Sequence, residues 1–116
     1  MKHIESQIQC GCVKWFRLQY QSIGRMLFAV PNGGARNVIE ASIMKGEGVT
    51  AGVSDLILLV PRKGYGALCI EMKTPKGKQS EYQKQWQHLT ERNGNMYVIC
   101  RTFEDFKKAI QDYLDT

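Results

Sequence analysis

Residues 55–73 read Asp55-Leu56-Ile57-Leu58-Leu59-Val60-Pro61-Arg62-Lys63-Gly64-Tyr65-Gly66-Ala67-Leu68-Cys69-Ile70-Glu71-Met72-Lys73, two apolar runs around a break that carries proline and glycine. The runs have the composition of central strands, and the break has that of a hairpin loop. Alternate residues of a strand share a face, so Glu71 and Lys73 project to one side while Met72 points away. If Pro61 faces Ala67 across residues 62–66, the antiparallel register sets Ile57 opposite Glu71 and Asp55 opposite Lys73. Opposed side chains lie roughly 5 Å apart, so Asp55, Glu71 and Lys73 converge at one end of the hairpin. The other face is then the uninterrupted apolar set Leu56, Leu58, Val60, Leu68, Ile70 and Met72. A slip of one residue sends Asp55 to the far side.

Two carboxylates held this close repel, and at a semi-buried site a cation or a proton has to offset that repulsion. Mg2+ or Mn2+ suits the task, because hard cations prefer oxygen ligands and keep positions open for water and phosphate oxygens. The simpler reading makes Asp55 and Glu71 strand-end charges with Lys73 as their salt-bridge partner. The spacing D-x(15)-E-x-K by itself favours that simpler reading, so the choice rests on the rest of the chain.

Upstream, Ile4, Ile8, Cys12, Trp15 and Phe16 recur at helical spacing, which predicts an amphipathic helix from about Ile4 to Tyr20. Met26 to Val30 suits a short strand, and Pro31, Asn32, Gly33 and Gly34 force a turn. Asn37 is placed to cap a short helix through Met44, followed by the glycine-bearing connection around Gly46, Gly48 and Gly52. Downstream, Ser80 and Gln83 form a capping-box pair for a helix running to Asn93-Gly94, with Trp86, Leu89 and Tyr82 as its expected packed face. Met96 to Cys100 is a further strand, and Thr102 with Asp105 opens a final helix ending near Leu114. The order αβ(α)ββαβα gives one α/β domain over residues 1–116, a mixed sheet flanked by helices.

Sixteen Lys and Arg against eleven Asp and Glu give a formal net charge of +5, which favours a polyanionic partner without naming it. The longest apolar run, residues 56–60, is far shorter than the roughly 20 residues that cross a bilayer, and the first residues carry no signal-peptide core. A cytoplasmic protein with no membrane partner is the expectation. Cys10, Cys12, Cys69 and Cys100 are expected as reduced thiols, since two fall in strand segments. Cys10-x-Cys12 with His3 lacks the second ligand pair that a structural zinc site uses.

The stretch Gly48-Val49-Thr50-Ala51-Gly52-Val53-Ser54-Asp55-Leu56, then Ile70-Glu71-Met72-Lys73, then Ser80, Gln83 and Trp86, resembles the virus-type replication-repair nuclease (VRR-NUC) family. Pro31-Asn32-Gly33-Gly34 is similar to that family's upstream loop, and the likeness covers nearly the whole chain in the right order. The family is a branch of the PD-(D/E)XK superfamily, so the resemblance implies a restriction-endonuclease-like core and metal-dependent hydrolysis of DNA phosphodiesters. Ser54 stands where the family usually has proline; that proline shapes the backbone and binds no metal.

Carried over by position, the resemblance makes Asp55 and Glu71 metal ligands, joined by the Met72 backbone carbonyl. Lys73 would orient the attacking water or offset charge on the phosphorane. Glu5 matches an additional acidic position that helps to hold a second cation, giving one or two ions per site; a lone helix glutamate is otherwise a solvated residue. Gln83 matches a glutamine that supports the site or the scissile strand, beside its capping role.

Arg36, Lys45, Lys76 and Lys78 flank the centre in or beside glycine-bearing loops, where they either pair with DNA phosphates or remain solvated charges. Nothing matches a base-reading motif, so recognition by shape is expected. Stand-alone family members resemble Holliday-junction resolvases of phages and bacteria that act in repair and recombination. That implies branched double-stranded DNA as substrate, and a homodimer suits two cuts in a symmetric junction. The alternatives are flap or end-directed cleavage, a catalytically silent DNA-binding module, and an oxygen-ligand metal protein unrelated to DNA, which fits the basic charge poorly.

Overall fold

The chain forms α1 (Lys2–Gln19), a 3-10 segment (Gln21–Met26), β1 (Leu27–Ala29), α2 (Val38–Gly46), β2 (Leu56–Leu58), β3 (Leu68–Met72), α3 (Glu81–Arg92), β4 (Met96–Cys100) and α4 (Phe103–Leu114). It is seen in a computed structural model that describes residues 2–31 and 37–115; the Asn32-Gly33-Gly34 turn and Arg36 lie outside the described residues. The architecture is the mixed α/β sheet flanked by helices that the element order predicts, with the 3-10 segment added.

The helix starts follow from their caps. The Asn37 side chain accepts the Glu40 amide, and Ser80 and Gln83 exchange both bonds of a capping box. Thr102 accepts the Asp105 amide at 3.0 Å, while the Asp105 carboxylate turns to the Arg101 amide at 2.9 Å.

The sheet runs β1-β2-β3-β4, antiparallel as far as β3 and parallel between β3 and β4, with α3 as the crossover. One face carries Leu27, Leu56, Leu58, Leu68, Ile70 and Met72, and it meets Cys12 and Phe16 of α1 and Phe106, Ile110 and Tyr113 of α4 in a single buried core. Trp15 locks the two helices together through edge contacts to Phe103 and Phe106, ring centres 5.9 and 6.2 Å apart. The second face carries Ile57, Cys69, Glu71 and Tyr97 and lies under α3.

The hairpin register differs from the expected one. Leu56 pairs with Ile70, Ile57 with Cys69 and Leu58 with Leu68, so the next step sets Asp55 opposite Glu71, not opposite Lys73. The cause is the turn. Arg62 and Tyr65 exchange backbone bonds at 3.1 and 2.7 Å around Lys63 (φ 53°) and Gly64 (φ 85°), a two-residue turn of the I′ kind. The extra length is absorbed on the first strand, where 59–61 oppose 66–67. A shift of two residues keeps every side chain on its face, so the apolar set and the acid pair both survive it.

The expected packed face of α3 also differs. Tyr82 is 63% exposed and Leu89 50%, and the inward side is formed by Gln83, Trp86, Gln87 and the buried Thr90. All four thiols are free, with Cys12, Cys69 and Cys100 buried. No helix among the described residues is long and apolar enough to cross a membrane.

Candidate active site

Asp55 ends the loop that enters β2, and Glu71 and Lys73 sit at and just beyond the end of β3, all three on the face turned to α3. Asp55 spans the gap between the strands: its Oδ2 accepts the Met72 amide at 2.7 Å. That bond fixes the carboxylate beside the Glu71–Met72 peptide, and the Met72 side chain, 2% exposed, goes to the core on the opposite face.

Glu71 is itself 2% exposed, and both of its oxygens are held. Oε2 accepts from Gln83 Nε2 at 3.0 Å and Oε1 from the Tyr97 hydroxyl at 3.3 Å. The hold continues outward, since Gln79 Nε2 donates to the Tyr97 oxygen at 3.2 Å and to Gln87 Oε1 at 2.9 Å. Such a chain of side-chain bonds leaves a buried carboxylate one position to occupy. Burial first, and then the neighbouring Asp55, push the Glu71 carboxyl up to about 8, with Lys73 and Tyr97 pulling the other way. The Tyr97 hydroxyl is pushed up as well, chiefly by burial.

Lys73 follows Glu71 on the same face, and its field favours the ionised Glu71. Among the described residues it forms no ion pair with either acid within 4.0 Å, so it is not the salt-bridge partner of the simpler reading. Its amide donates to the Cys100 carbonyl at 3.0 Å, which ties its backbone to the end of β4.

Gly52 explains how the Asp55 loop reaches α3. It has φ +83°, and an added Cβ would lie 2.3 Å from the Tyr82 carbonyl oxygen and 2.9 Å from the Gln83 nitrogen. Only glycine permits that approach of two backbones. The loop, α2 and the start of α3 enclose an open cleft of about 490 Å3 that is lined by Asp55, Gln83 and Lys45.

Of the residues singled out from sequence, Asp55, Glu71, Lys73 and Gln83 are brought together, and Lys45 lies on the same cleft. Lys76 and Lys78 are exposed in the segment that follows Lys73, and Arg36 is outside the described residues. Glu5 is half-buried in the first turn of α1, where its charge complements the helix dipole and where it lines a second cavity with Lys14 and Arg17. No group of three or more His, Cys, Asp or Glu suited to a metal occurs among the described residues, so Glu5 does not complete a three-acid cluster with Asp55 and Glu71.

Sequence reasoning missed Tyr97, Gln79 and Gln87. Tyr97 pairs with Cys69 in the parallel ladder, on β4, one strand beyond the reach of any hairpin argument.

Comparison with known proteins bears on the family and the fold. A family model described as the VRR-NUC domain matches residues 1–104. A solved structure described as a VRR_NUC domain protein superposes with a TM-score of 0.83 at 24% identity, covering 95% of this chain and 87% of that one, a likeness of fold. None of the curated proteins compared with the chain matches it.

Proposed function

We infer that this chain, which belongs to the VRR-NUC domain family, acts as a nuclease. We propose that it hydrolyses phosphodiester bonds of branched double-stranded DNA with Mg2+ or Mn2+. The observation that carries the proposal is the pair Asp55 and Glu71, opposed on adjacent strands with Glu71 buried and held at both oxygens.

That pair fits a hard cation. A buried acid whose carboxyl is pushed up to about 8 beside a second acid holds a proton for want of a better charge partner, and a divalent ion is that partner. Asp55, Glu71 and the Met72 carbonyl would hold it. Bound there, the ion lowers the pKa of a water molecule and offsets charge on the phosphate.

The chain's own residues do the positioning. Gln83 and Tyr97 fix the Glu71 carboxylate, and the Met72 amide fixes Asp55, so neither acid reorganises during the reaction. The Lys73 ammonium, with no acid within ion-pair distance among the described residues, is placed to orient the attacking water or to meet a phosphate oxygen. Glu5, half-buried on α1, would help to hold a second ion. Lys45, Lys76 and Lys78 serve the DNA backbone, together with Arg36.

The cleft is open and is lined by Lys45, which suits contact with the phosphate backbone and recognition by shape. A four-way junction is the substrate we favour, cut by a homodimer that presents two sites. The test is a nicking assay on four-way junction, flap and linear duplex with Mg2+, Mn2+ or chelator, comparing Asp55→Ala with the parent. Preference for the junction, lost with chelator and in the variant, is expected. Preference for flap or linear ends would move the substrate to end-directed cleavage, and binding without cutting would leave a silent DNA-binding module.

A further inference from the structure

We propose that Arg101 is a positioning residue for Lys73 and acts through the turn at 74–77; the inference rests on the reading of Lys73 as the active-site ammonium. Arg101 directly follows β4, and its Nη1 donates to three main-chain carbonyls of that turn: Thr74 at 2.8 Å, Gly77 at 2.6 Å and Pro75 at 3.4 Å. Among the described residues, no carboxylate lies within 4.0 Å of this guanidinium. Its charge is met by peptide oxygens alone, the arrangement of a cation built into a carbonyl niche.

The niche belongs to Lys73. The Lys73 amide is bonded to Cys100, the residue before Arg101, so the same short stretch of chain holds Lys73 from behind and its turn from in front. The turn closes on itself through the Gly77 amide, which donates to the Thr74 carbonyl at 3.0 Å. A Cβ placed on Gly77 would sit 3.5 Å from Lys73 Cδ. The turn that Arg101 holds thus runs beside the flexible four-carbon stem of Lys73.

The carbonyl bonds tie Arg101 to the turn that directly follows Lys73.

The test compares Arg101→Met, which keeps the stem and removes the donors, with Arg101→Lys, which restores an ammonium with three donors. Two readouts are taken: 13C relaxation of Lys73 Cε in the DNA-free, metal-free protein, and kcat and KM for nicking. In the Met variant we expect Lys73 Cε to become as mobile as an exposed lysine, and kcat to fall by roughly 10- to 100-fold, the scale of a misplaced catalytic group. KM for DNA should stay within about threefold, and the Lys variant should recover most of both losses. An unmoved Lys73 Cε would overturn the proposal, as would a rise in KM with kcat intact, which would make Arg101 a DNA contact. If the parent cuts no DNA while Lys73 loosens as expected, the nuclease reading falls and the positioning role stands. Should the Met variant fail to fold, the Lys variant decides: a mobile Lys73 Cε in a protein of parental secondary structure would also overturn the proposal.

Discussion

Behind the wall of the cleft that Asp55 and Gln83 form, Glu71 is 2% exposed and takes bonds from α3 and β4; on the other wall, α2 has no buried residue and leaves Val38 84% and Ile39 72% exposed. The first wall is a polar network assembled inside the fold, whose members are fixed before any substrate arrives. The second is a single capped helix resting beside a glycine-bearing loop, and its Lys45 reaches the cleft from an exposed position. Chemistry and recognition are therefore built to different standards. On the proposed function, the groups that would have to stay fixed are buried and bonded, and those that would meet DNA are exposed and lightly held.

Substitutions can break or sharpen that contrast. On the chemical wall the largest effect is expected from Asp55→Ala, which removes one proposed metal ligand and the bond to the Met72 amide; kcat should fall on the order of 10^3-fold with DNA affinity retained, read by single-turnover nicking and filter binding. Gly52→Ala attacks the junction of the two walls. The added methyl meets the α3 backbone at a positive φ, so we expect a loss of several kcal/mol, a fall in Tm on the order of 10 °C and a displaced Asp55 loop, read by calorimetry.

Tyr97→Phe removes the donor to Glu71 Oε1 and leaves the ring in place. A roughly 10- to 100-fold loss in apparent metal affinity or kcat is expected, the usual consequence of losing a group that orients a ligand; parental metal titrations would show that Gln83 alone suffices. The smallest effect is expected on the open wall. Lys45→Ala should raise KM a few-fold with kcat unchanged and lower the salt slope of DNA binding by about one, read from binding at several ionic strengths. A fall in kcat there would mean that the recognition wall also takes part in the chemistry.

How far this contrast was legible in the sequence depends on range. The helix caps at Asn37, Ser80 and Thr102 are local bonds between residues three apart, and they are found where the residue types place them. The apolar alternation of residues 56–60 and 68–72 fixes the face of Asp55 and Glu71, although the register was two residues off. The I′ turn puts Lys63 at a positive φ, where sequence gives no warning, and compensates on the first strand. The face of α3 was misread for a physical reason: Gln83 and Gln87 look like a solvated stripe until a buried Glu71 and Tyr97 are known to lie beneath them. Tyr97 and Arg101 depend on a parallel pairing and on bonds across 24 to 27 residues, which no local pattern encodes.

On the proposed function, Asp55 and Glu71 form a paired acid site whose proton gives way to a divalent cation. With the Glu71 carboxyl raised to about 8, the metal-free protein holds a proton there at pH 7, and binding an ion has to release it. Calorimetric titration of Mn2+ into the DNA-free protein at pH 7, in buffers of different ionisation enthalpy, measures that release directly. About one proton per ion is predicted, declining as the pH rises through 8 and absent in Glu71→Gln. Binding without proton release, or release unchanged in Glu71→Gln, would contradict the account.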